Sequence, residues 1–264
     1  MIISQYFVFF IIFSFLGWVW ETIYCTARER HFSSRGFLFG PVCPIYGCSV
    51  VVGMMIFRQI YAASGSMPLW EVFIICAVGS AFAEYVTSYC LEKRFHARWW
   101  DYSSMPLNLH GRICLPVTIC FGIAGTLLVH FVIPVLGTMQ VTVEPLVYEA
   151  AALVLMGAFG ADFALTQASL STLLERIEAL DREFTERGET VYEAISSTPQ
   201  QMEIRKNNFE IEMHERACAL AGELSARQRS VVNRISRFRP ALPERHEFKA
   251  GDRLKEALRE LKNR

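Results

Sequence analysis

Apolar runs long enough to cross a bilayer recur five times, at about residues 5–25, 38–61, 70–91, 113–137 and 145–166. Each is near the roughly 20 residues that a hydrocarbon core of about 30 Å requires of a helix. The second run is weakened at its start by Gly40, Pro41 and Pro44, with Gly47 following. Its first turns are therefore expected to be broken or re-entrant, a geometry tolerated at membrane depth only where protein or a wet cavity satisfies the backbone. Beyond Phe163 the pattern changes. Leu170, Leu174, Ile177, Leu180, Phe184, Val191 and Ile195 recur at intervals of three, four or seven, which is the stripe of an amphipathic helix continuing the fifth span. Ser197-Thr198-Pro199 interrupts it, and Pro199 is suited to open a second helix. That helix is predicted to run to about Phe238, with Met202, Phe209, Met213, Ala217, Leu220 and Leu224 on one side. Pro240 and Pro243 end it, and a short charged helix, Asp252 to Leu261, follows. The predicted fold is all-α: a polytopic membrane helix bundle of about five spans over residues 1–166, and a helical tail over 167–264. An antiparallel hairpin, or a coiled coil made across a dimer, would bury the stripes of that tail.

Charge sharpens this division. Residues 1–162 hold eight Lys/Arg and nine Asp/Glu, and the rest of the chain holds eighteen and seventeen, so the net charge of zero sums two different materials. A soluble domain spreads its charges over its whole surface. The first apolar run has no Lys or Arg before Arg28, so it reads as a retained span rather than a signal peptide. Loop charge alternates: Arg28, Arg30 and Arg35 follow the first span, and Lys93, Arg94, Arg98 and Arg112 follow the third. Arg58 alone belongs to the connection after the second, and none follows the fourth. The positive-inside rule then puts the N-terminus outside and the basic C-terminal tail in the cytoplasm. Eight cysteines without a C-x-x-C pair, seven of them in or beside apolar segments, point to small hydrophobes rather than to disulfides or a metal site. No cofactor is expected.

The chain also resembles itself. Gly36–Gly47 overlays Gly111–Gly122 at an offset of 75, both reading G-x4-P-V-x4-G. Each copy follows a span carrying one glutamate and then a Tyr-Cys pair: Glu21 with Tyr24-Cys25, and Glu84 with Tyr89-Cys90. The unit is helix, basic loop, proline-opened helix, used twice. Repeats two spans apart keep their orientation, so they are parallel, related about an axis near the membrane normal.

Glu21 lies about seven residues, or roughly 10 Å of helix, past the middle of its span, and Glu84 sits at comparable depth. The same side receives Asp162, Arg35, Trp100, Asp101, Tyr102, Asn108, His110 and Arg112. An ionisable residue inside a span costs at least about 2.5 kcal/mol and ordinarily faces a partner within the bundle. Pairing of the two glutamates with Arg35 and Arg112 is the simplest expectation. Three functions fit. The glutamates can be interhelical staples, with the tryptophans in an interfacial belt. They can line a substrate or ion pathway open to the cytoplasm, where Gly40, Pro41, Pro44 and Gly47 supply a helix break. They can also serve, with Asp101 and His110, as acid–base groups of a membrane-embedded enzyme, although no nucleophile elbow or H-E-x-x-H supports that.

The tail offers a scaffold or signalling surface instead. Its charges alternate in sign, which favours a solvated helix over a nucleic-acid surface, even along the basic stretch Arg227, Arg229, Arg234, Arg237 and Arg239.

The string Gly17-Trp18, Glu21, Arg35-Gly36-Phe37-Leu38, Gly40-Pro41, Pro44-Ile45-Tyr46-Gly47 resembles the bacterial membrane family named "Putative ABC-transporter type IV", also called CmpB-like. So do Trp100-Asp101-Tyr102-Ser103, Asn108 and Gly111-Arg112-Ile113-Cys114. The resemblance covers about residues 5–130. It implies a multi-pass protein of the bacterial cytoplasmic membrane, a transporter permease, whose polar core includes Glu21, Arg35, Glu84, Trp100, Asp101 and Asn108. No Lys directly follows a Gly anywhere, so a Walker A motif is absent and any ATPase is a separate subunit. Five spans are few for a complete transporter, so a homo-oligomer in contact with membrane lipid is expected.

Overall fold

The computed structural model describes residues 2–30, 36–193, 199–238 and 250–263. Five of its helices are long and apolar enough to cross a membrane. They are α1 (Ile2–Glu29), α2 (Pro44–Ser64), α3 (Leu69–Phe95), the run Leu115–Thr142, and α6 (Pro145–Glu193). The fourth span divides into α4 (Leu115–Leu127), a π-helical turn (Leu128–Val132) and α5 (Ile133–Thr142). Pro134 explains the turn. Proline offers no N–H, and its ring crowds the carbonyl four residues back. Widening the preceding turn takes up both defects without ending the helix. The span therefore continues to Thr142, five residues beyond the predicted limit of 137.

The second span departs from expectation at its other end. Gly36–Cys43 is irregular, and α2 begins only at Pro44, with Cys43 extended at its N-cap. The break predicted from Gly40, Pro41 and Pro44 is thus a whole segment outside the helix. Pro44 occupies the first helical position, where its missing N–H costs nothing.

Two compact units make up the chain, one comprising residues 1–90 and 100–166, the other residues 91–99 and 167–264. In the first, Val8, Phe9, Met54, Leu136, Tyr148 and Ala152 join α1, α2, α5 and α6, and Phe57, Val72 and Val129 join α2, α3 and the π turn. Large apolar side chains, among them Phe15, Trp20, Val78, Phe82, Leu153 and Val154, are exposed. Water would make such a surface unstable, and hydrocarbon makes it ordinary.

The 75-residue repeat is visible in the packing. Gly36 and Gly111, equivalent under the offset, both have positive φ, at 102° and 68°. A Cβ on Gly47 would strike the Phe10 carbonyl and Ser14 Oγ of α1, and one on Gly122 would strike Phe73 and Ala77 of α3. Phe10 and Phe73, Ser14 and Ala77, and Glu21 and Glu84 are each 63 residues apart. Each repeat thus packs its second helix on its first through one glycine at the same level, with its glutamate in the same register.

The second unit has its own core. Leu170, Leu173, Leu174 and Ile177 of α6 are buried in it, as are Met213, Ala217 and Ala221 of α7 (Pro199–Glu223), and Leu254, Ala257 and Leu258 of α9 (Ala250–Asn263). The helix predicted to continue to Phe238 instead stops at Glu223, because two sets of caps compete successfully for its backbone. Ser225 Oγ accepts from the Gln228 N–H at 3.3 Å, while Gln228 Oε1 accepts from the Ser225 N–H at 3.0 Å. That capping box opens α8 (Ala226–Arg234). Arg229 donates to the Leu224 and Gly222 carbonyls at the end of α7. Asp181 of α6 accepts from the Ala250 N–H that starts α9, at 3.2 Å.

Residues 91–99, assigned from sequence to the membrane domain, belong to this unit. Glu92 and Arg98 form a doubly hydrogen-bonded, largely buried pair at 2.8 and 3.2 Å. The two-residue strand β1 (Ala97–Arg98) pairs antiparallel with β4 (Arg237–Phe238). Lys255 caps the carbonyls of Ile235 and Ser236, and burial pulls its ammonium below the usual lysine range. More than a two-helix hairpin, the unit packs α6, α7 and α9 together with α8 and this short ladder. The predicted ends of the stripes, at Phe184, Val191, Ile195 and Met202, together with Ser197-Thr198, Pro240 and Pro243, lie outside the described residues or have undescribed side chains.

Gly47→Ala should destabilise the bundle by about 1–3 kcal/mol, because the Phe10 carbonyl cannot move aside. Gly53→Ala, with open space around it, should be neutral or better. Melting curves of the two purified variants in detergent check this, and equal melting temperatures would contradict the packing described.

Candidate functional site

The candidate site follows from how the irregular segment Gly36–Cys43 is held. Extended backbone among spans must find partners, since lipid offers none. The Gly40 N–H lies 3.0 Å from both carboxylate oxygens of Asp162. The Phe39 N–H donates to Thr166 Oγ1 at 3.0 Å, and the Cys43 N–H to the Ser14 carbonyl at 2.9 Å. Around Pro41 the Val42 N–H turns back to the Gly40 carbonyl at 2.9 Å, a γ-type turn that suits the fixed proline φ. A Cβ at Gly40 would stand 2.8 Å from Asp162 Oδ2, so the carboxylate approaches this closely only because the residue is glycine. Asp162 and Thr166, four apart on α6, together replace the first helical turn that α2 lacks. In the second repeat that turn exists: Leu115, equivalent to Gly40, already begins α4, and Pro116 sits in its first turn.

Behind this segment the two repeats bring their polar groups together. Tyr46 in the first turn of α2 donates to Glu21 Oε1 of α1 at 2.6 Å. Tyr102 donates to Glu84 Oε1 of α3 at 3.4 Å. Tyr46 and Phe121, equivalent under the 75-residue offset, meet edge to face with ring centroids 6.0 Å apart, so the two repeats touch at this pair. The Tyr102 hydroxyl is held well above the ordinary phenol range, first by burial and then by the charges of both Glu84 and Glu21. Each glutamate is thus held by a tyrosine hydroxyl, Glu21 by Tyr46 and Glu84 by Tyr102. Glu84 is 7% exposed, and its Oε2 has no hydrogen-bond partner among the described residues.

Of the two arginines expected to pair with the glutamates, Arg112 is described. Arg112 is buried, and its guanidinium lies over the rings of Tyr85 and Tyr89 at 5.4 and 5.3 Å, a cation–π arrangement strengthened by desolvation. Arg35 lies outside the described residues. The hydrogen bonds that reach Glu21 and Glu84 here come from tyrosines.

Three further sequence candidates build the loop that carries Tyr102. Trp100 Nε1 donates to the Arg112 carbonyl at 2.9 Å. Asp101 Oδ1 accepts from the Ser103 N–H at 3.0 Å and from the Ser103 hydroxyl, an Asx turn. Asn108 donates to the Met105 and Ser103 carbonyls at 2.8 and 3.3 Å and accepts from the Gly111 N–H at 3.1 Å. The strands β2 (Asn108–Leu109) and β3 (Ile113–Cys114) close the loop as a hairpin. His110 Nδ1 and the Tyr85 hydroxyl are 3.1 Å apart. Trp100, Asp101 and Asn108 thus each make hydrogen bonds within this loop.

Of the helix-break set, Gly40 contacts Asp162, Pro41 forms the γ-type turn, Pro44 opens α2, and Gly47 seats α2 on α1. Sequence inspection missed Tyr46 as a partner of Glu21. Its signal was present: within the repeat it is the one hydroxyl-bearing ring whose equivalent, Phe121, has none.

Tyr46→Phe removes the sole hydrogen-bond donor described for Glu21 and should cost about 1–3 kcal/mol. Tyr102→Phe removes a longer bond and should cost less. Denaturation of the two variants in the same detergent gives the order directly.

No match is found among curated proteins or among solved structures. The sequence model of one family matches residues 8–167, a range that begins within the first span, ends within the fifth, and includes the lead-in segment, Glu21 and Glu84. By that match the chain belongs to the membrane protein family described as Putative ABC-transporter type IV.

Proposed function

We propose that the protein is the permease-like component of a transporter, with an acidic pocket between its two parallel repeats that opens to the cytoplasm. The observations that carry this are the tyrosine-held carboxylates of the two repeats, Glu21 with Tyr46 and Glu84 with Tyr102, and the second oxygen of Glu84, buried and without a hydrogen-bond partner among the described residues. Two carboxylates close together in poor solvent repel one another, and a proton or a cation between them relieves that repulsion. The pocket is therefore suited to take up and release a positive charge. The broken start of α2 gives the first repeat a segment of irregular backbone beside it, a feature also used at ligand sites of transporters.

In this proposal the N-terminus is outside and the second unit is cytoplasmic, in the inner membrane of a bacterium. The basic residues at the ends of α1 and α3 support that orientation. The energy source is a separate ATPase subunit, since the chain has no Walker A motif, and the permease acts as a homo-oligomer. No catalytic role is assigned. Asp101, the leading acid–base candidate, is engaged in its own turn.

A strain lacking the protein, complemented with Glu21→Gln or Glu84→Gln at wild-type membrane abundance, should keep the defect of the deletion. Full complementation by either variant would overturn the pocket. Orientation has its own test. A C-terminal green fluorescent protein fusion should fluoresce, and an alkaline phosphatase fusion at the same point should be inactive; the opposite pair of results would reverse the topology.

A scaffold acting through the tail is the second reading, favoured by the independent core of the second unit. Removal of residues 199–264 separates the two. Loss of a partner complex with the complementing activity intact supports the scaffold, and loss of activity with the complex intact supports the permease.

A further inference from the structure

On the solvent edge of the seam between α7 and α9, three side chains of different chemistry meet. His214 and Cys218 are four apart on α7, so they stand one above the other on a single face. Glu260 comes from the last turn of α9. His214 Nε2 is 3.1 Å from Glu260 Oε2 and 3.6 Å from Cys218 Sγ, and one ligand atom from each of the three residues lies within 4.8 Å of the others. The inner neighbours of these residues, Met213, Ala217 and Ala257, are almost fully buried. The two backbones are thus fixed by packing, and the three donors are held together by the fold.

We propose that His214, Cys218 and Glu260 form a binding site for a divalent cation of the zinc type, joining α9 to α7. The donor set carries the choice of metal. A thiolate, an imidazole and a carboxylate are a mixed soft and borderline set, which selects zinc over magnesium or calcium. Three donors at zinc's bonding distances of 2.0–2.3 Å from a tetrahedral ion stand roughly 3.3–3.8 Å from one another. The distances of 3.1 and 3.6 Å are close to that geometry, and the third, between Cys218 and Glu260, is at most 4.8 Å and closes as the ion draws the donors in. His214 and Glu260 have side chains 34% and 48% exposed, so the ion can arrive from water, and its fourth position is filled by water. On binding, the Cys218 thiol loses its proton to solvent, and His214 Nε2 gives up any proton it shares with Glu260, because all three ligands bind in their deprotonated forms. The site lies wholly within the second unit and does not depend on the acidic pocket.

Cobalt reports the site directly, because a cobalt–thiolate bond has a charge-transfer absorption that imidazole and carboxylate ligands lack. The full chain, purified in detergent under a thiol reductant, is titrated with Co2+ and then with Zn2+. One equivalent should give a saturable band that zinc abolishes. Cys218→Ser should lose the band while melting, metal-free, as the wild type does. Glu260→Gln, on the more exposed ligand, should keep the band and weaken binding roughly tenfold or more, and it carries the test if Cys218→Ser fails to fold. No saturable band in the wild type, a band undiminished in Cys218→Ser, or unchanged affinity in Glu260→Gln would overturn the proposal. The His214–Glu260 contact would then be an ordinary hydrogen bond between two helices.

Discussion

Much of the first unit follows from one requirement: backbone N–H groups lying between spans must find acceptors inside the protein. Gly36–Cys43 breaks the regular ladder there, and three donors of that segment are met by Asp162, Thr166 and the Ser14 carbonyl. Those acceptors fix α6 and α1 against the segment, and Gly40 lets the Asp162 carboxylate come near enough for both of its oxygens to accept from one N–H. The same anchoring sets where α2 begins, and so aims Tyr46 at Glu21. An intramembrane aspartate, a strict glycine and a tyrosine–glutamate bond thus have one cause.

The repeat gives this arrangement its contrast. Both copies seat their second helix on the first through a glycine at the same level, and both end their first helix on a residue with positive φ, Arg30 and His96. Among the described residues, α6 supplies side-chain acceptors to the lead-in segment of the first copy. The second copy keeps a regular first turn at Leu115-Pro116 and closes its loop with a hairpin instead. The copies therefore share a helix pair while differing at the place where chain and site meet.

Five spans, their helical character and the repeat were legible because apolar length and glycine–proline spacing are local signals. The break at Gly40–Pro44 was legible for the same reason, although its extent was not, since that depends on acceptors more than 120 residues away. Glu21 and Glu84 could be placed at comparable depth from sequence. Their tyrosine partners could not, because arginine is the generic expectation for a buried carboxylate, and Arg112 is instead drawn over two aromatic faces. Trp100, Asp101 and Asn108 looked like pocket residues for being polar near the bundle. Their hydrogen bonds are short-range within one loop, a use that spacing alone does not separate from ligand binding. In the tail, the stripe was read through a position where Ser225 and Gln228 form a capping box, and that signature stood in the sequence unread.

The contact between Tyr46 and Phe121 has a consequence for symmetry. Tyr46 and Phe121 are equivalents in the repeat and touch, so any chemical difference between them falls where the two repeats meet. Here the difference is one oxygen atom. It gives Glu21 a donor from the neighbouring helix of its own repeat and leaves Glu84 to depend on a tyrosine brought in by a loop. Two carboxylates that the repeat would make equal are thereby made unequal, and in the proposed pocket an arriving ion or proton would meet a ranked pair of sites rather than a degenerate one.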